Sequence, residues 1–128
     1  MALVATGCGS QGVVAPTPET VVGTVPQAAA VGKGDPAAGK QLYESNGCAG
    51  CHTFKPAAST GKVGPDLDNL AADAQKANQG TLDQYVAESI KNPGAYVVPG
   101  FPAGVMPSFS SLSDKQVADL VAFLTQKS

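Results

Sequence analysis

The chain has 128 residues, enough for one domain and too few for two with separate cores. With no Trp, four Phe and three Tyr against 15 Gly and 10 Pro, its apolar inventory is thin for a core built from side chains alone. Ten acids against eight lysines, with no arginine, give a net charge of −2. That balance argues against nucleic-acid binding, since phosphate contacts need concentrated basic surface, and the lysines are spread along the sequence with no basic docking patch to be read from it.

Residues 1–8 end in Ala5-Thr6-Gly7-Cys8 after a short apolar run, and this stretch resembles the tail of a bacterial lipoprotein signal. The resemblance implies a lipid on Cys8. No apolar run approaches the roughly 20 residues of a membrane-spanning helix, so a membrane link would go through that lipid or through a partner subunit. Residues 9–34 are Gly, Pro, Ala, Val, Thr and Gln without a sustained period, the composition of a flexible linker. Such a tether has a typical end-to-end distance of about 30 Å.

Order is expected from residue 35 to 128. Asp35-Pro36 reads as an N-cap followed by a proline at the first helical position, and Ala38, Gly39, Leu42 and Tyr43 then share a face until Asn46-Gly47. Gly39 beside Tyr43 predicts a notch in which another helix crosses closely.

Cys48-Ala49-Gly50-Cys51-His52 follows at once. Two thiols three positions apart, then the chain's only histidine, match the pattern of c-type haem attachment. In that pattern each thiol forms a thioether to the porphyrin, and the adjacent imidazole binds iron. The alternatives are a zinc site, which wants four ligands where the chain offers three Cys and one His, and a redox dithiol, which wants a βαβ context. A porphyrin would also supply the flat apolar surface that the side chains lack, so the core is expected to form around it.

Beyond His52 the spacing predicts loop. In Gly64-Pro65-Asp66-Leu67, the carbonyl of Pro65 is a candidate acceptor for the Nδ1 proton of His52, against the plain alternative of a turn. A short helix is expected within residues 68–79. Thr81-x-x-Gln84 predicts a capping box opening a helix with Leu82, Tyr85, Val86 and Ile90 on its core face, closed by Asn92-Pro93-Gly94. From Tyr96 to Phe109 three prolines and two glycines exclude regular structure. Met106 lies within this stiff loop, an odd place for a core filler and a sensible one for a weak sulfur ligand to iron. Ser113-x-x-Gln116 opens the last helix, with Val117, Leu120, Val121 and Leu124 as its buried stripe, Phe123 beside them, and the Gly39/Tyr43 notch as its partner.

Taken in order, Gly39 and Tyr43, the CAGCH at 48–52, Gly64-Pro65-Asp66-Leu67, Asn92-Pro93, Tyr96, Pro99-Gly100 and Met106-Pro107 resemble a class I monohaem cytochrome c over residues 35–128. The loop from Tyr96 to Pro107 is also similar to haem domains of oxidase subunit II and to monohaem lipoprotein subunits of alternative complex III. The resemblance implies an all-α fold of three to five helices around one covalent haem c. It implies thioethers at Cys48 and Cys51, and iron held by His52 and Met106. Pro65, Leu67, Tyr85, Tyr96 and Phe109 are the further residues expected around the cofactor.

With both axial positions filled, the chain is expected to be an electron carrier rather than an enzyme. Its expected partners are a quinol-oxidising complex and a terminal oxidase or photosynthetic reaction centre, on the outer face of the bacterial cytoplasmic membrane. The competing readings are a haem protein with an open sixth position, for small ligands or peroxidatic work, and a subunit whose haem is chiefly structural.

Overall fold

In the computed structural model, residues 32–126 are described. Cys8 and most of the expected linker lie outside the described residues.

Helix α1 spans Pro36–Ser45, and the Asp35 carboxylate caps it by accepting from the Ala37 amide at 2.8 Å. The motif segment follows as a 3-10 turn, Cys48–Gly50. Loop was expected next. Instead the chain makes a small antiparallel hairpin, β1 (Thr53–Phe54) with β2 (Ser59–Thr60), around a 3-10 turn at Lys55–Ala57. The reversal rests on Ala58 in the left-handed region at φ 50°, a conformation that alanine does not announce in sequence.

Helix α2 runs Leu70–Ala77 and ends on Asn78, also left-handed. Helix α3 is Leu82–Lys91 and α4 is Asp114–Leu124, and both open with complete capping boxes, Thr81 with Gln84 and Ser113 with Gln116. Each box satisfies two of the amide groups that a helix start leaves unpaired. No helix among the described residues is long and apolar enough to cross a membrane.

Helices α1 and α4 cross at the expected notch. A Cβ on Gly39 would collide with the Asp119 carbonyl oxygen and stand 2.7 Å from Phe123 Cβ, so only glycine lets the two backbones come this close. Beside it, Tyr43, Phe54 and Phe123 pack ring against ring at centroid distances of 5.3–6.0 Å. Tyr43 is 1% exposed, and its hydroxyl shares a hydrogen bond with Ser59 Oγ at 3.0 Å, tying α1 to the hairpin. Burial pushes the Tyr43 phenol up from its ordinary pKa, so it stays a neutral hydrogen-bonding group.

Helix α4 buries more than its apolar stripe. Ala118 and Asp119 are covered too, because α1 lies across that side. Asp119, only 4% exposed, accepts from the Asp35 amide at 2.7 Å and from Lys115 Nζ at 2.5 Å. These two donors, the amide first, hold its carboxyl below the usual carboxylate range. An acid in the apolar stripe of the last helix thus latches the start of the first.

Candidate haem site

A cavity of about 440 Å³ opens between the motif segment, α3 and the loop that follows α3. Its size lies within the range of about 300–1,000 Å³ that cofactor-sized ligands occupy. All nine residues expected around a cofactor line it, from Cys48, Cys51 and His52 through Pro65 and Leu67 to Tyr85, Tyr96, Met106 and Phe109.

The 3-10 turn at Cys48–Gly50 is closed by amide bonds from Cys51 and His52 to the Cys48 carbonyl, at 3.2 and 3.0 Å. This curl brings both thiols and the imidazole to one cavity. Burial pushes the Cys48 thiol up from its ordinary pKa, whereas Cys51 lies exposed at the cavity wall.

The chain then folds back over the motif. The Gly64 amide donates to the Cys51 carbonyl at 2.8 Å, and Thr53 Oγ1 donates to the Gly61 carbonyl at 2.8 Å. A Cβ on Gly61 would stand 2.6 Å from the Cys51 carbonyl carbon, and one on Gly64 would stand 2.5 Å from His52 Cε1. The imidazole therefore lies flush against a bare backbone. His52 Nδ1 is 2.7 Å from the Pro65 carbonyl oxygen. A carbonyl only accepts, so Nδ1 carries a proton, and in the neutral imidazole Nε2 then keeps the free lone pair.

On the other wall-forming segments, Tyr85 and Tyr96 meet edge to face at 6.0 Å. Burial first, and the nearby Asp73 carboxylate second, push the Tyr85 phenol up. Asp73 is buried and also lines the cavity, a residue that the sequence reading passed over because α2 is Ala-rich and polar throughout. Met106 is half-buried in the cavity wall, and the Phe109 amide anchors the end of its loop to the Ile90 carbonyl at 3.0 Å.

These residues fit a covalently attached porphyrin. The two free thiols, a tautomer-locked imidazole and a mostly apolar wall converge on one space of cofactor size. The wall is mostly apolar and open to water, so a flat apolar ring seated there removes that surface from solvent. A zinc site finds no such support: among the described residues no group of three or more His, Cys, Asp or Glu converges as a ligand set. Nor does a redox dithiol, since the only strands described form a two-residue hairpin without a βαβ unit.

A family model described as cytochrome c matches residues 36–128. The chain belongs to the cytochrome c family. No curated protein matches it in sequence. As a cytochrome c it carries a covalently bound c-type haem with iron, and Cys48 and Cys51 stand at the attachment spacing. The mostly helical architecture is that of the small cytochrome c fold, and the family serves electron transfer rather than substrate conversion.

Proposed function

We propose that this cytochrome c is a single-electron carrier whose haem iron is held by His52 and Met106. In this reading it works between a quinol-oxidising complex and a terminal oxidase or reaction centre. It is a class I monohaem protein, kept on the outer face of the bacterial cytoplasmic membrane by a lipid on Cys8 or by a partner subunit. The observation that carries the reading is the 2.7 Å contact of His52 Nδ1 with the Pro65 carbonyl, which leaves Nε2 as a ligand in the cavity that Met106 also lines.

Bound haem supplies one-electron exchange at its iron. The Pro65 carbonyl fixes the ring orientation of His52 and raises its basicity as a ligand. His52 is the chain's only histidine, so a second protein ligand must be another donor, and Met106 is the sulfur donor in the cavity lining that haem attachment leaves free. Pro102 and Pro107 flank Met106 and restrict the backbone that carries it. A neutral sulfur and an apolar wall both disfavour the extra charge of the ferric state, which raises the reduction potential. A tether through residues 9–34 would keep the domain near membrane partners and raise its effective concentration there.

Intact mass of the native protein tests haem attachment and a lipid on Cys8 together. In the visible spectrum, the ferric protein is expected to show the far-red sulfur-to-iron band, and the reduced protein to bind carbon monoxide slowly. Rapid carbon monoxide uptake by the native protein would replace this reading with that of an open sixth position.

A further inference from the structure

Helix α2 carries its polarity the wrong way round. Leu70, Asp73, Ala74 and Ala77 follow i, i+3, i+4, i+7 spacing and form its inward face, while Ala71, Ala72, Gln75 and Lys76 are exposed. A carboxylate thus takes a core position while two alanines stand in water. Asp73 is 8% exposed and lines the cavity together with Leu70. A cofactor seated there only covers it further, so its burial does not depend on what fills the space.

Among the described residues, no lysine and no other carboxylate lines the cavity. Lys76 Nζ stands 3.8 Å from Asp73 Oδ1, too far for a hydrogen bond, and the lysine side chain is 68% exposed. Its charge is therefore well solvated and offsets that of Asp73 only in part. Asp73 lies in the first turn of α2, where the helix dipole favours a negative charge. The field of this carboxylate crosses to α3: after burial, it is the next cause that pushes the Tyr85 phenol up.

We propose that Asp73 sets the reduction potential of the haem, its negative charge favouring ferric iron and so lowering a potential that the apolar wall and the sulfur ligand raise. The proposal rests on the electron-carrier reading. Ferrous iron gives one electron to an outside acceptor and gains one unit of positive charge, and no bond or proton has to move. At an effective dielectric of about 20, opposite unit charges about 10 Å apart shift such an equilibrium roughly tenfold. The partial offset by Lys76 leaves at least about threefold. If Asp73 served only the start of α2, its removal would show in stability and leave the iron untouched.

The test is a spectroelectrochemical titration of the full-chain haem-loaded protein, with melting temperature read alongside. Asp73→Asn, close to isosteric, should raise the ferrous-to-ferric ratio at a fixed applied potential at least about threefold, which is about 28 mV at about 59 mV per tenfold. Lys76→Gln, outside the cavity lining, removes the offset and should lower the ratio by a smaller factor. Asp83→Asn, on the exposed side of α3, should not move it. A buried charge is poorly screened, so the Asp73→Asn difference should persist from low to high salt. A ratio unchanged or lowered by Asp73→Asn, a rise with Lys76→Gln, or a difference that high salt abolishes would each overturn the proposal. So would a lower melting temperature with the ratio unmoved. Should Asp73→Asn not retain haem, an unchanged ratio in Lys76→Gln overturns it as well. A parent protein without a reversible one-electron wave would instead overturn the electron-carrier reading.

Discussion

His52 sits in a stretch bonded back onto itself, whereas Met106 sits in one pinned only towards its ends. Around His52, Gly64 bonds Cys51, Thr53 bonds Gly61, Pro65 holds Nδ1, and two glycines remove the Cβ atoms that would push the layers apart. The Met106 loop is tied by Gln79 to Ala95 at one end, and by Ser108 to Lys91 and Phe109 to Ile90 at the other. Between Tyr96 and Pro107 the backbone hydrogen bond among the described residues is a single turn, Phe101 to Val98. The lesson is one of division of labour. The protein alone orients the imidazole, while the thioether depends on loop stiffness and on what fills the cavity.

The largest effect expected is on the cavity as a whole. With Cys48→Ala and Cys51→Ala together, the haem is no longer covalently held and the apolar cavity wall loses the ring that covers it. Far-UV circular dichroism should show most of the helix lost, and intact mass should show no attached haem. A colourless variant with a full helical signal would break the idea that the core forms around the cofactor.

Next, Met106→Ala should keep the covalent haem and the fold, because nothing on the His52 side depends on the thioether. Reduced protein should then bind carbon monoxide rapidly and the ferric far-red band should vanish. Unchanged spectra would mean that the loop does not supply the ligand.

Gly64→Ala probes the other side. The new methyl would press on the imidazole, costing about 1–3 kcal/mol of stability in chemical denaturation. The potential should shift too, since the histidine must tilt away from Pro65. A matching glycine replacement in the loop, Gly94→Ala, meets nothing nearer than 3.9 Å and should do far less.

Asp119 lies outside both regions and sets a baseline. Its folded pKa is depressed, by the Asp35 amide and then by Lys115, so the folded state favours the carboxylate. Its contribution is complete above the unfolded pKa of about 3.9 and is lost as pH falls through the lower folded value. Asp119→Asn should therefore be less stable at neutral pH and should lose stability less steeply on acidification, read as melting temperature against pH. A parallel shift at all pH values would show that the carboxylate's charge does not matter.

The smallest effect belongs to the hairpin. Ala58 holds φ 50°, and Ala58→Gly should relieve about 1 kcal/mol of backbone strain, partly offset by the freer unfolded chain. A small rise in melting temperature would show that the fold-back over His52 is achieved against local preference.

Much of this molecule is written locally. The capping boxes at Thr81 and Ser113, the Asp35-Pro36 start and the CAGCH spacing are each read over a few residues, because caps and covalent attachment are short-range chemistry. Glycine at 39 also announced a close crossing, since few other reasons put glycine beside an aromatic inside a helix. The hairpin after His52 was not legible, because Ala58 adopts a conformation imposed by the layers on either side of it. Asp119 and Asp73 were not legible either: an acid in a helix reads as solvated until another element is laid over it.

By itself, then, the sequence determined the attachment chemistry, the helices and the loop that cannot be helical, all consequences of neighbours within a turn or two of chain. Only the tertiary structure decided that the Pro65 carbonyl reaches His52 Nδ1 and that Asp119 latches the crossed helices. It also decided that a carboxylate, Asp73, is buried in the cavity wall. Each of these depends on residues far apart in the chain meeting at a few ångströms, a distance that backbone packing sets and that no local pattern encodes.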